Sequence, residues 1–348
     1  LMIPTKSFAA LDPNKPLQAF TIQRREPGTN DVQIKIMYCG ICHTDIHQAR
    51  NEWGHSMFPM VPGHEIVGQV VKTGKSVKKF KVGDYVGVGC MVDSCGNCKD
   101  CKDHLEQFCN GVSYTYNSQN PKTKEVTYGG YADAIVVSQK FVLQISKKLN
   151  LAAVAPLLCA GITTYSPLKR WKVTAGQKVG VVGLGGLGHM AVKIAKAMKA
   201  HVVVFTTSKN KSADAKKLGA KEVIVSNNAK DMAKHALTFD FILDTVAAPH
   251  DIDQYLNLLK RDGTMCLVGV PNSPHPATNP ANLVLKRRQL VGSLIGGIKE
   301  TQEMLDFCAK HKIVSDIETI PMKYINTAFE RMLKSDVKYR FVIDMKTI

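Results

Sequence analysis

Val179-Gly180-Val181-Val182-Gly183-Leu184-Gly185-Gly186-Leu187-Gly188-His189 decides how the rest of the chain reads. Val179 to Val182 are apolar or small, the texture of a strand buried on both faces. The glycines form G-x-G-x-x-G, and Leu187, Met190, Ala191, Ile194 and Met198 then recur at helical spacing. Strand, glycine turn and helix in that order make a dinucleotide-binding unit. Gly183 permits the tight turn, Gly185 lets the backbone approach a pyrophosphate, and Gly188 lets helix and strand pack closely. Leu184, Gly186 and Leu187 complete the loop, whose free N–H groups and helix dipole favour an anion. A glycine pattern alone also occurs in ordinary turns; this one lies between a strand and a helix and opens a βα series.

That series runs through the strand candidates Lys178–Gly183, His201–Phe205, Glu222–Val225, Asp240–Asp244, Thr264–Gly269 and Leu290–Leu294. Strands alternating with helices in this way predict a doubly wound, six-stranded parallel sheet in an α/β protein. Ahead of it, Leu151–Tyr165 reads as one helix ended near Pro167. From about Val32 to Ile145 the texture is that of short β-strands. Val32, Ile34 and Ile36 alternate with polar residues, and Ile66–Val71, Asp84–Val88 and Ala134–Val137 are further candidates. Turns at Thr73-Gly74, Val82-Gly83-Asp84 and Gly129-Gly130 separate them, which predicts a β-rich, barrel-like domain. Helices near Lys299–His311 and Ile325–Leu333 and a strand at Arg340–Ile343 close the chain.

A chain of 348 residues, 45% hydrophobic and 22% charged, has the composition of an ordinary globular protein of about two domains. No apolar run approaches the roughly 18 residues that span a bilayer. Leu1–Asn14 shows no charged-then-apolar leader pattern, so a cytoplasmic protein is expected. The net charge of +17 raises the question of nucleic acid. Lysines and arginines are scattered, however, the longest basic run is Lys286-Arg287-Arg288, and aromatic residues are not interleaved with them. A solvated basic surface, without nucleic-acid or membrane partners, is the expectation.

Four of the ten cysteines crowd into Cys95-x2-Cys98-x2-Cys101-x7-Cys109. With no export signal, that spacing points to metal rather than disulfides. Zinc takes four thiolates tetrahedrally at about 2.3 Å, and a site closed in this way is structural. A second set is dispersed over Gly40-Ile41-Cys42-His43-Thr44-Asp45, Gly63-His64-Glu65 and Leu158-Cys159-Ala160-Gly161. Two sulfurs and an imidazole would leave one zinc position for water or substrate, which defines a catalytic site. Taken singly, Cys159 on an apolar helix reads equally well as a core thiol, His64 as a turn residue, and His43 and His47 as exposed side chains.

These pieces, the four-cysteine loop and the glycine turn occur in this order in zinc-dependent medium-chain alcohol dehydrogenases. The chain resembles their cinnamyl-alcohol-dehydrogenase branch. The likeness extends through Pro59-Met60-Val61-Pro62-Gly63-His64-Glu65, residues 296–307 and Tyr339-Arg340-Phe341-Val342-Ile343-Asp344. It implies a β-rich GroES-like catalytic domain over residues 1–153 and 293–348, with a Rossmann NADP-binding domain inserted over 154–292. It makes Cys42, His64 and Cys159 the ligands of a catalytic zinc, beside a structural zinc on the four-cysteine loop. Glu65 would lie near the metal and transiently replace water, and Asp45 would fix the His64 ring. Thr44 would exchange the substrate proton, His47 would carry it towards the surface, and His43 would face a cofactor phosphate. A homodimer joined near Leu290–Ile295 is implied as well.

An NAD-specific fold places an acidic residue at the end of the second strand. Here that end reads Phe205-Thr206-Thr207-Ser208-Lys209-Asn210-Lys211, with no acid before Asp214. Hydroxyls and ammonium groups there suit a 2′-phosphate, so NADP(H) is the expected cofactor, with Val268, Gly269 and Val270 completing its site. The family-equivalent substrate pocket comprises Trp53, Cys90, Met91, Tyr114 and the region Pro280–Val284. Tyr114 departs from the tryptophan common in plant members, which favours broad reduction of aromatic and other aldehydes over a dedicated lignin-precursor role. The alternatives are a zinc polyol or formaldehyde dehydrogenase and, from another class, a zinc-ribbon nucleic-acid module. The last leaves the glycine unit and the second ligand set unexplained.

Overall fold

In the computed structural model, which describes residues 2–121 and 123–348, short strands fill the first part of the chain. They are β1 (Met2–Ala9), β2 (Gln18–Arg25), β3 (Asp31–Gly40), β4 (Ile66–Thr73), β5 (Tyr85–Val88), β6 (Met91–Asp93), β7 (Ser113–Tyr114), β8 (Ala134–Ser138) and β9 (Leu143–Gln144). There follow β10 (Lys178–Val182), β11 (His201–Thr206), β12 (Glu222–Val225), β13 (Phe239–Asp244), β14 (Leu259–Leu267) and β15 (Gln289–Gly292). β16 (Ile317–Pro321) and β17 (Arg340–Asp344) come last. The chain divides into two units, one of residues up to Cys159 with Gly296–Ile348 and the other of Ala160–Ile295.

The first unit is organised on β3. Its sheet runs β16-β17-β3-β4-β5-β9, and β8 also pairs with β3. Val32, Ile34 and Ile36 are buried while Lys35 is exposed, the one-faced alternation that the sequence shows. β1 and β2 pair antiparallel, yet a hydrophobicity reading passes over them because their buried positions include Thr5 and Ser7. Directly after β3 the chain turns at Cys42 into α1 (His43–Ala49), which buries Asp45, Ile46 and Ala49. β3 and α1 together thus bring Cys42 and Asp45 to the end of a rigid sheet.

In the second unit β10 to β15 form one parallel sheet in the order β12-β11-β10-β13-β14-β15. Val179, Val181, Val202, Val203 and Val204 are fully buried, as strands covered on both faces require. Strand order reverses between β10 and β13, and in such sheets ligands bind beyond the carboxyl ends of the strands at that switch point. α2 (Gly186–Ala197) leaves β10 through the glycine turn. Back in the first unit, α3 (Ile298–His311) and α4 (Ile325–Leu333) bracket β16.

One expected element is corrected. Leu151–Tyr165 is not a continuous helix: Leu151–Val154 passes into a 3₁₀ turn, Ala155–Leu158, and a new helix begins at Ala160. Cys159 sits in the break with dihedrals of φ −126° and ψ −66°, neither helical nor extended. Pro156 lies inside the 3₁₀ turn, and Pro167 lies within the second helix, Ala160–Arg170, rather than beyond its end. Among the described residues no single helix is long and apolar enough to cross a membrane.

Candidate active site

Cys42 is the N-cap of α1, and Asp45, three residues on, reaches back to accept its backbone N–H at 2.9 Å. This local closure fixes the direction in which the Cys42 thiol leaves the chain. His64 arrives from the turn before β4, and Cys159 from the helix break. The Cys42 and Cys159 sulfurs are 4.0 Å apart. One ligand atom from each of Cys42, His64, Glu65 and Cys159 falls within 4.8 Å of the others. Asp45 Oδ1 lies 3.4 Å from His64 Nδ1, which leaves Nε2 as the ring nitrogen open to a metal. Helix position alone does not separate a core thiol from a ligand at Cys159; the clustering sets it among groups that could hold a metal ion.

The electrostatics suit a cation. A hydrogen bond from the Cys159 thiol, reinforced by His64, holds Cys42 well below the ordinary thiol range. Burial opposes charge on His64, but Cys90, Asp45 and Cys42 outweigh it and hold the imidazole well above its usual value. Glu65 is fully buried; burial pushes it up to about 7 despite its ion pair with Arg340. Its other oxygen, Oε2, has no hydrogen-bond partner among the described residues. A buried, unsatisfied carboxylate oxygen beside two thiols and an imidazole is the donor set that Zn²⁺ accepts.

The second cluster is more local. Cys95, Cys98, Cys101 and Cys109 also bring their sulfurs within 4.8 Å of one another. Main-chain N–H groups point at the sulfurs: Cys98 to Cys95 at 3.4 Å, Cys101 to Cys98 at 3.5 Å, Gly111 to Cys109 at 3.3 Å. Backbone donors from Asn97 and Cys98 lower Cys95 to about 6. Four sulfurs grouped in this way fit a closed zinc site. Next to it, Glu106 Oε2 accepts the Ile298 N–H at 3.0 Å, tying the loop to the start of α3.

The glycine turn in the second unit fits a dinucleotide. Gly183 has φ +89°, and a Cβ at Gly188 would run into the Gly183 carbonyl, so both positions require glycine. Gly185, the N-cap of α2, would meet nothing within 4 Å, leaving open space where an anion can approach the helix N-terminus. Leu184, Gly186 and Leu187 line the same turn. β11 ends at Thr206, whose hydroxyl accepts the Ser208 N–H at 3.2 Å. Thr207 and Lys209 are exposed, Ser208 and Lys211 half-buried, and Asp214 lies in the first turn of the helix Ser212–Leu218. Val268, Gly269 and Val270 follow the end of β14 at Leu267 instead of belonging to the strand, and Val270 is exposed.

Thr44 and His47 lie one helical turn apart on α1. The His47 ring pairs with Glu52 and packs against Trp53 at 5.2 Å between centroids. His43 is exposed on the same helix. Met91 and Tyr114 face each other across β6 and β7. The Cys90 thiol lies 3.9 Å from the Leu158 carbonyl and interacts with Cys159. Trp53 packs with His47 and His55 instead. Glu52, Arg340 and Tyr131 were not legible as site residues. Arg340 alone had a signal, being a charge set directly against the apolar run Phe341-Val342-Ile343.

Two family profiles match the chain: "Alcohol dehydrogenase GroES-like domain" over residues 28–147 and "Zinc-binding dehydrogenase" over residues 186–310. The chain belongs to the zinc-dependent medium-chain alcohol dehydrogenases, in their cinnamyl-alcohol-dehydrogenase branch. It is 58% identical over 344 residues to the aldehyde reductase YahK of Escherichia coli K12, covering 99% of each chain. A cinnamyl alcohol dehydrogenase of Sorghum bicolor superposes with a TM-score of 0.96 at 44% identity, covering 99% of this chain and 98% of that one. A CAD from Helicobacter pylori, solved with NADP(H), gives 0.94 at 46% identity over 99% of each chain.

Proposed function

We propose that this zinc- and NADP(H)-dependent enzyme acts chiefly as an aldehyde reductase of broad scope that accepts aromatic aldehydes. The clustering of Cys42, His64, Glu65 and Cys159 around an unsatisfied buried oxygen carries the reading. Cys42, His64 and Cys159 would hold a zinc ion that would polarise a carbonyl oxygen, and a bound nicotinamide would supply the hydride. Asp45 holds the His64 ring by its Nδ1 side. Thr44 presents its hydroxyl at the start of α1 to give the substrate oxygen its proton. His47, near the surface and steadied by Glu52, exchanges protons with water. Arg340 keeps the Glu65 carboxylate oriented while also donating to the Ile41 carbonyl at 2.8 Å.

Thr207, Ser208, Lys209 and Lys211 would receive the 2′-phosphate, with Thr206 shaping the turn. Met91 and Tyr114, together with Cys90 and Trp53, would face the substrate. β15 is an edge strand, and Leu294 beyond it and Val284 before it are exposed, which supports a homodimer joined along that edge. A cytoplasmic setting agrees with a chemistry that needs free thiols. A panel of aromatic aldehydes, formaldehyde and polyols, each with NADPH and NADH, tests the function. Highest efficiency on aromatic aldehydes with NADPH is expected; highest efficiency on a polyol or on formaldehyde would replace this reading with the corresponding dehydrogenase.

A further inference from the structure

Behind Asp45, which holds the His64 ring, stands a layer of groups that the proposed reaction does not use. Asp45 is fully buried, and donors converge on its carboxylate. They are the Cys42 N–H at 2.9 Å, the Gly63 N–H at 3.1 Å and the Tyr131 hydroxyl at 3.1 Å, with His64 Nδ1 at 3.4 Å. Residues 42, 63 and 64 belong to the segment that carries two of the ligands. Tyr131 comes from elsewhere, the loop that enters β8.

That loop is pressed onto the turn before His64. Gly129 donates to the Val61 carbonyl at 2.7 Å, Gly130 to Gly63 at 2.8 Å and Tyr131 to Pro62 at 3.0 Å. A Cβ at Gly129 would collide with the carbonyl oxygens of Pro62 and Gly63. Arg24 of β2 holds the loop from its other side. Its guanidinium donates to the carbonyls of Tyr128 at 2.7 Å, Gly129 at 2.8 Å and Ala134 at 3.1 Å. Planar, fixed donors of this kind restrain a loop more than a flexible ammonium would.

A neighbouring tyrosine supplies the contrast. Tyr116 stacks on the His64 ring at 5.9 Å and 18°, and its buried hydroxyl faces the Asp45 carboxylate without a well-formed hydrogen bond. Two tyrosines therefore flank one imidazole–carboxylate pair. Tyr131 donates to it with ordinary hydrogen-bond geometry; Tyr116 chiefly packs.

We infer that Tyr131 is a positioning residue for the catalytic metal: delivered by the loop that Arg24 pins, its hydroxyl orients Asp45, and Asp45 in turn fixes His64. The inference rests on the proposed role of Asp45 at His64. Loss of the hydroxyl leaves the carboxylate one restraint fewer, and the imidazole then opposes metal departure less well. Changes to groups that orient a metal ligand typically cost about 10–100-fold in metal affinity.

The experiment is zinc release from the holoenzyme into a chromophoric chelator, followed as two phases. Cys159→Ser, which lacks a catalytic ligand, identifies the phase that belongs to the four-cysteine loop. Asp45→Ala, with Asp45→Asn as the gentler version, should accelerate the other phase. Tyr131→Phe should accelerate that same phase about tenfold, leave the loop phase unchanged, and add nothing in the Asp45 variants. Tyr116→Phe, which removes a hydroxyl without a well-formed bond to Asp45, should accelerate that phase less than Tyr131→Phe does and leave the loop phase unchanged. If the Asp45 variants speed release and Tyr131→Phe does not, the inference about Tyr131 alone falls. If the Asp45 variants have no effect, both it and the proposed role of Asp45 fall. Equal acceleration of both phases by Tyr131→Phe, or undiminished acceleration in the Asp45 background, would also overturn the inference, since either marks a general loosening of the fold.

Discussion

The four-cysteine loop and the Cys42–His64–Glu65–Cys159 set each bring their ligand atoms within 4.8 Å of one another, yet they are built in opposite ways. The loop draws all its sulfurs from one stretch and aims them with its own backbone N–H groups. The catalytic set takes one ligand from a helix N-cap, one from a turn before a strand and one from a broken helix. Asp45 of the helix that Cys42 caps, with Arg340 and Tyr131 from two further places, holds that geometry. A site that is local in sequence organises itself once metal binds. A dispersed one is organised by the fold and is left with an open position for chemistry.

The largest expected effect follows from the loop's dependence on its own metal. Cys101→Ser removes one of four sulfurs from a segment, residues 95–109, that otherwise buries only Gln107 and Cys109, and structural zinc binding is folding free energy. The variant should accumulate as insoluble or partly unfolded protein; a thermal unfolding midpoint equal to wild type would show the loop to be dispensable. Thr44→Ala acts on the dispersed site without disturbing either ligand set. Turnover at saturating aldehyde and NADPH should fall by about 10²–10⁴-fold, with both zinc ions retained. Unchanged turnover would remove Thr44 from the proton path.

Arg340 sharpens the same contrast through stability. Arg340→Met strands the Glu65 carboxylate in a fully buried place, and breaking a buried pair in this way costs about 3–5 kcal/mol. Urea unfolding should register that loss, and adding Glu65→Gln should recover much of it. Full stability in Arg340→Met alone would mean that the pair does not support the site. A smaller effect belongs to the end of β11. Thr206→Asp should lower the NADPH-to-NADH efficiency ratio by at least about tenfold, the worth of one charge-assisted hydrogen bond. A ratio that does not move would place cofactor selection elsewhere.

What could be read from the sequence divides along the same line. The glycine turn, the six strands and the cysteine loop were legible because each is a local pattern with one physical reading. Gly183 and Gly188 are required by a left-handed φ and by a close approach respectively, as G-x-G-x-x-G suggests. The dispersed ligands were legible only through family resemblance, because Cys42, His64 and Cys159 meet through tertiary structure. The break at Cys159 escaped notice: apolar Leu151–Leu158 carries helical periodicity, and only packing shows where the helix must stop. Glu52, Tyr131 and Arg24 left no trace in any local pattern. Their roles come from partners up to 110 residues away, as in the Arg24 bond to Ala134.

The most direct measurement is the zinc-to-protein ratio of the active enzyme and of Cys159→Ser, taken with circular dichroism and aldehyde turnover on the same samples. Two zinc ions per chain are expected in the active enzyme. Cys159→Ser should keep one, with a wild-type fold and no turnover. A fully active enzyme holding a single zinc, or a Cys159→Ser protein that keeps two zinc ions and its activity, would contradict the division of labour between the two sites.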